Sequence, residues 1–255
     1  MTLRTLTPSV SVLRADNPGP MTLDGTRSVV LRAPGAGSCV VVDPGPDDAA
    51  HLDALAAAGP VALVLVTHRH ADHTAGSAGL AERTGAPVRA ADPEHCHGGG
   101  PLRDGETIEA AGLRVEVLAT PGHTGDSVSF VVTGPGETPV VLTGDTVLGR
   151  GTTVLTEPDG SLADYLASLD TLEAVGDARL AVPAHGPEIE DLGVAVRAYR
   201  THRLDRLAQV RAALAVLGED AGVDAVTAHV YADVDPSVLP AARQSVAVQL
   251  AYLRR

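Results

Sequence analysis

The sequence predicts a layered α/β fold with a small helical region at its C-terminal end. Three observations predict it. Val61–Val66 (VALVLV) is a continuous apolar run of strand length, the pattern of a strand covered on both faces. Four strand-like runs each end in a polar cluster: Val61–Val66 in THRHADH, Leu113–Ala119 in TPGHT, Pro139–Leu142 in TGDT and Leu180–Val182 in PAHGP. After Gly186 the pattern changes to apolar residues at helical spacing, with Arg and Asp between them.

In chain order, the opening segment MTLRTLTPSVSVLRADNPGP has no long apolar stretch and no small-residue cleavage site, so no secretory signal is expected. Ser28–Ala33 and Ser38–Val42 read as paired strands around a turn at Pro34–Gly37, and Asp43–Pro46 (DPGP) breaks the pattern. Asp48–Ala58 has helical composition and is ended by Gly59–Pro60. Gly193–Leu217 reads as a long helix, followed by shorter ones over Ala221–Val230 and Pro236–Leu253. The expected division is a main domain over 1–202 and a helical region over 203–255, with no Pro/Gly/Ser linker between them.

Composition bounds the function classes. The chain has 255 residues, 44% hydrophobic and 20% charged, enough to bury a sizeable core. One Phe, four Tyr and no Trp leave Ala, Val and Leu to build that core. The formal net charge of −13 weighs against a module that grips phosphate backbones. Cys39 and Cys96 are too few for a disulfide framework and read as reduced thiols, although a single bridge stays open. No apolar run approaches the ~18 residues of a membrane span. The expected setting is cytoplasmic, with no membrane partner.

Chemistry concentrates in Thr67–His73 (THRHADH), which supplies His68, His70, Asp72 and His73 in close succession. Two histidines one residue apart, beside an Asp-His pair, are hard to explain by packing, and both residue types ligate metals. His123 in PGHT, Asp145 in TGDT and His185 in PAHG stand at the other strand ends. Singly, each reads equally well as a turn, cap or loop residue. Together they are what a two-metal site still lacks.

HxHxDH, then GH, GD and a late HG, resembles the signature of the metallo-β-lactamase superfamily over Asp24–Gly186. The resemblance implies a four-layer αββα sandwich with the metals at one edge of its sheets. It implies that His68, His70 and His123 bind one zinc, that Asp72, His73 and His185 bind the other, and that Asp145 bridges them. Imidazole and carboxylate ligands also suit iron or manganese. Two such ions activate water and polarise a carbonyl or phosphoryl oxygen. Asp72 has a second expected role, orienting the nucleophile and shuttling a proton.

Gly144–Thr153 (GDTVLGRGTT), SLADYLASLDTL, PAHGP and the tail YRTHRLDRLAQV are similar to the beta-lactamase-like protein two group. That group includes an endoribonuclease acting on single-stranded RNA and thioesterases that release polyketides from carrier proteins. It implies a winged-helix-like C-terminal region. Arg150, Thr152 and Thr153 are the candidate substrate-binding residues: Arg150 for an anionic group, the threonines as hydrogen-bond donors. His202 and Arg206 share a helical face and read as a polar surface or interhelical contact. His95, Cys96 and His97, beside three glycines, read as a loop. The expected function is hydrolysis of a small ester or thioester; the alternative is cleavage of single-stranded RNA. Nucleic acid is the less favoured partner, and the Ala/Val/Leu faces of the tail leave a homodimer open.

Overall fold

The structure is a computed structural model that describes residues 2–235 and 239–254. Six strands form one sheet in chain order: β1 (Arg4–Thr5), β2 (Val10–Arg14), β3 (Arg27–Leu31), β4 (Cys39–Val42), β5 (Val61–Leu65) and β6 (Val88–Arg89). The second sheet has the order β11-β10-β9-β8-β7, built from β7 (Thr107–Ala110), β8 (Leu113–Ala119), β9 (Val128–Thr133), β10 (Val140–Gly144) and β11 (Ala181–Pro183). β4 and β5 pair in parallel, as do β10 and β11, so each sheet is mixed.

Strand periodicity builds four layers. Along β4, Val40 and Val42 face the space between the sheets, while Cys39 and Val41 face away from it. The inner space is filled by Val29, Leu31 and Leu65 from one sheet and Val115, Val117 and Phe130 from the other. Helices α1 (Ala49–Ala56) and α3 (Ser77–Thr84) bring Leu52, Leu55 and Leu80 onto the outer face of the first sheet. Between α1 and α3, Ala71–Thr74 forms the single-turn helix α2. Helices α4 (Leu162–Ala174) and α5 (Leu192–Leu217) bring Leu169, Leu172 and Val196 onto the outer face of the second. Each fully buried Leu or Val contributes roughly 1.5–3 kcal/mol of transfer free energy. β5 is buried except at Ala62, because helices cover one face and the facing sheet the other. The expected αββα sandwich is therefore the observed architecture.

Polar caps start the helices where the sequence places them. The side chains of Asp48, Ser161 and Asp191 accept from the backbone N–H groups of His51, Asp164 and Val194. Helix α5 runs unbroken through the expected boundary at residue 203. Its N-terminal part through Leu207, with Val196 and Tyr199, packs into the sandwich; Val210, Ala213 and Leu214 pack instead with α6 (Val223–Val230) and α7 (Leu239–Leu253). The change of packing partner lies inside one helix, which is why no linker marks it. Among the described residues the tail consists of helices joined by non-helical links at 218–222 and 231–235; residues 236–238 of the expected last helix lie outside them. No helix is long and apolar enough to cross a membrane among the described residues.

Helix α4 also clamps two loops together. Tyr165 donates from its hydroxyl to the Thr146 carbonyl at 2.6 Å, and Ser168 donates to the Pro121 carbonyl at 2.6 Å. Gly122 makes this approach feasible: its φ is +129°, and a Cβ there would lie 2.5 Å from the Tyr165 backbone nitrogen. The His123 and Asp145 loops are thus fixed to one rigid element.

Candidate metal centre

All seven expected ligands meet at one edge of the sandwich, where β5, β8, β10 and β11 end. The cluster after β5 is more than a loop. His68 and His70 lie in the extended link, whereas Asp72 and His73 lie in the single turn of α2. That bend sends the two halves of the motif to neighbouring points.

Three imidazole nitrogens converge at the first point. His70 Nδ1 lies 3.0 Å from His68 Nε2 and 3.0 Å from His123 Nε2. The backs of these rings fix which nitrogens carry lone pairs. His123 Nδ1 lies 2.8 Å from the Val154 carbonyl, which only accepts, so Nδ1 holds the proton. Thr67 Oγ1 donates to Asp43 Oδ2 at 2.8 Å and therefore accepts from His68 Nδ1 at 3.1 Å. Both Nε2 atoms thus present lone pairs to one spot, an arrangement that a cation satisfies.

At the second point, Asp72 Oδ2 lies 3.3 Å from His73 Nε2 and 3.2 Å from His185 Nε2. His73 Nδ1 donates to Asp43 Oδ2 at 2.9 Å, which turns Nε2 toward the same spot. Asp145 stands between the two points. Its Oδ1 is 3.7 Å from His73 Nε2 and 3.4 Å from His185 Nε2, while its Oδ2 is 3.6 Å from His123 Nε2. His73 Nε2 and Asp145 Oδ1 are buried without a hydrogen-bond partner. Unpaired buried polar atoms are costly, and here both aim at a cluster of other donor atoms. The donor set fits two borderline divalent ions.

Without metal the two points differ in charge. Burial, reinforced by His73, holds His68 well below the ordinary histidine range, and burial with His123 lowers His70. At the second point burial also opposes the charge, but carboxylates outweigh it. Asp43 and Asp145 raise His73, and Asp145 with Asp72 raise His185 to about 9. Asp72 and Asp145 are held far below the usual carboxylate range despite burial, because the neighbouring His185 and His73 favour the ionised form of both.

A pH dependence of metal loading follows. The raised His185 proton stabilises the metal-free protein fully below its ordinary value of 6.5, and that stabilisation is lost as pH rises through about 9. A cation must displace this proton, so affinity at the second point is expected to fall as pH drops from about 9 toward 6.5. The lowered His68 and His70 hold no such proton, so the first point should load with less pH dependence than the second. Calorimetric zinc titration in buffers of different ionisation enthalpy reads both: proton release is expected with the second equivalent only. Equal proton release from both equivalents would contradict the charge assignment.

Supporting residues escaped the sequence reading. Asp43, 2% exposed, accepts from the Thr67 backbone N–H, the Thr67 hydroxyl and His73. Thr26 donates to Asp72 Oδ2 at 2.9 Å and is itself held by Asn17. The available signal for Asp43 was a carboxylate directly after the apolar run CVVV.

The substrate candidates separate. Thr153 is buried and donates to the Asp145 carbonyl at 2.7 Å, so its hydroxyl braces the ligand loop. Thr152 is exposed, at the mouth of a cavity of about 260 Å³ between this loop and α5–α7. Arg150 is exposed on the other side, 3.2 Å from Asp24. His202 and Arg206 line the 260 Å³ cavity, and the Arg206 guanidinium lies over the Tyr231 ring. Arg203 is buried and donates to the Thr153 carbonyl, and the Tyr199 hydroxyl holds the Leu148 backbone, so α5 grips the whole 145–153 loop. His95, Cys96 and His97 join no ligand cluster among the described residues; Cys96 Sγ contacts the Ala90 backbone, and both cysteines are free.

Residues 21–185 match the family model of the metallo-beta-lactamase superfamily. An atrochrysone carboxyl ACP thioesterase from Passalora fulva is 32% identical, aligned over 96% of this chain and 73% of its own length. A beta-lactamase-like protein 2 homolog from Caenorhabditis elegans is 30% identical over 97% of this chain and 85% of its own. Among solved structures, a metallo-beta-lactamase family protein from Thermus thermophilus superposes with a TM-score of 0.76 at 24% identity. That match covers 98% of this chain and 94% of the other.

Proposed function

Because this chain belongs to the metallo-beta-lactamase superfamily, we propose that it is a hydrolase that holds two metal ions, zinc by preference, and acts on a small ester or thioester. The observation that carries the reading is Asp145, which turns one oxygen toward His123 and the other toward His73 and His185. In this reading His68, His70 and His123 hold one ion, Asp72, His73 and His185 hold the other, and Asp145 is shared. When bound, such a pair supplies an activated water near neutral pH and polarises the scissile carbonyl.

The protein's own groups do the rest. Asp43 and the Val154 carbonyl fix the proton positions of His73 and His123, so their free nitrogens are aimed before binding. Asp72 sits at the rim with its side chain 28% exposed, and Thr26 orients it. As a carboxylate it can accept a proton from the attacking water and pass it to a departing alcohol or thiol. The cavity beside Val154, lined by Leu155, Ala242 and Tyr231, suits a short acyl group; at about 260 Å³ it lies just below the usual range for ligand pockets. The helices after Arg203 shape this entrance rather than add a reacting group.

Likeness to a carrier-protein thioesterase supports a thioester. RNA cleavage has weaker support here. Single strands need exposed aromatic platforms and a basic channel. Phe130, Tyr165 and Tyr199 are buried, which leaves only the part-buried Tyr231 and Tyr252 as aromatic surface among the described residues, and the net charge is −13. Zinc-loaded protein assayed on acyl thioesters, lactones, phosphodiesters and short RNA is expected to favour acyl thioesters, with activity lost in Asp72→Ala. Efficient, salt-sensitive RNA cleavage lost in the same variant, beside negligible thioester hydrolysis, would reverse the reading.

A further inference from the structure

A second cleft, of about 660 Å³, opens beside the metal centre but takes none of its ligands. Its walls touch the centre's supports. Gly25 precedes Thr26, which orients Asp72, and Gly186 and Pro187 follow His185 directly. Arg4, Arg14, Arg27 and Arg150 all line it. The whole acidic chain has only 19 Lys and Arg, yet four from separate segments meet here.

Their pairing leaves positive charge available. Arg27 is buried at the floor, donating to the Gly186 carbonyl at 2.8 Å and to Glu188. Arg4 shares that same carboxylate. Arg150 meets Asp24 at the rim through a 3.2 Å contact with both side chains more than half exposed, an arrangement that water and competing anions readily replace. Arg14 is exposed and has no ion pair among the described residues. With Asp16 completing the lining, four cations face three carboxylates.

We propose that this cleft binds a single phosphate group carried on the leaving arm of the substrate, the phosphopantetheine arm of an acyl thioester. The proposal rests on the thioester reading given above. A floor guanidinium held by Gly186 and Glu188, with two exposed rim guanidiniums, suits one tetrahedral anion, because arginine forks hold phosphate oxygens in pairs. One cleft with this charge, on a surface otherwise dominated by acid, suits one phosphate rather than the track of contacts that a polynucleotide uses. The arm would enter past Arg14 and Arg150 and run along Gly186 and Pro187 toward the metal edge, with the acyl group directed to the cavity beside Val154.

The test measures binding and turnover separately. Calorimetry on the zinc-loaded protein compares phosphopantetheine with pantetheine, which lacks only the phosphate. The expected result is tighter binding of phosphopantetheine, weakened roughly tenfold in the double variant Arg14→Gln, Arg150→Gln, the scale of losing one or two partly exposed charge-assisted contacts. Arg211→Gln on α5, outside the cleft, controls for the loss of one charge and should bind as wild type does. Equal binding of the two probes, or no effect of the double variant, overturns the proposal. Turnover of acyl-phosphopantetheine and acyl-pantetheine tests the thioester reading apart from this. Failure to hydrolyse either removes that reading, while the binding comparison still decides whether the cleft selects phosphate.

Discussion

Asp145→Ala is expected to lower metal-dependent kcat/KM by about three orders of magnitude or more while leaving the fold in place. Losing the shared carboxylate removes several kcal/mol of charge stabilisation at the reacting centre, and each ~1.4 kcal/mol is tenfold in rate. The fold should persist because the hydrogen bonds that brace this loop go to the Asp145 and Thr146 carbonyls rather than to the carboxylate. The variant should also hold the second equivalent of metal poorly, since His73 and His185 would face each other across Asp72 alone. His68→Ala should cost a similar amount by opening the first triad. Steady-state kinetics on the best acyl substrate, with circular dichroism as the check on folding, reads both. Turnover of Asp145→Ala close to wild type would remove the two-metal mechanism.

Asp43→Ala is expected to produce the largest loss of stability of any single substitution near the site. The carboxylate is buried and accepts from the Thr67 N–H, the Thr67 hydroxyl and His73 Nδ1. Removing one partner of a buried charged network typically costs about 3–5 kcal/mol, because the remaining charge and donors stay buried and unpaired. Its φ of +53° adds a second penalty, since alanine tolerates the left-handed region less well than Asp or Asn. Asp43→Asn keeps that backbone preference and part of the hydrogen bonding, so it should fold. With His73 no longer held as a donor to a carboxylate, its metal affinity at the second point should drop about 10–100-fold. Urea denaturation of chelator-treated protein gives the first quantity and zinc titration the second. A stability loss below about 1 kcal/mol in Asp43→Ala would show that the network is not what holds the ligand loop.

The candidate ligands were legible because metal chemistry demands particular residue types, and these stand at strand ends. THRHADH, PGHT, TGDT and PAHG each follow an apolar run, and the fold brings those runs to one edge. The strands Leu113–Ala119 and Val61–Val66 were legible for the same reason, one by alternation and the other by continuous apolarity. What stayed hidden depends on contacts across the chain. Thr26 and Asp72 are far apart in sequence and meet only when β3 lies beside the edge. Thr153 reads as a free hydroxyl next to Arg150, yet the chain beyond the bend at 149–151 brings it to the Asp145 carbonyl. β1 (RT) and β2 (VSVLR) are short and lack sustained alternation, so their strand character comes from β2 pairing with β3 and β1 with β2 rather than from their own pattern. No break in α5 accompanies the division expected at residue 203; its packing partners change farther along, between Leu207 and Val210.

The central claim is that this edge holds two metal ions with Asp145 between them. A crystal structure of protein grown with zinc, with anomalous difference maps collected on both sides of the zinc edge, tests it most directly. The account predicts two peaks per chain. One should lie among His68 Nε2, His70 Nδ1 and His123 Nε2, the other among Asp72, His73 and His185, with the two Asp145 oxygens divided between them. A single peak at full occupancy, with Asp72 or His185 turned away from it, would contradict the account.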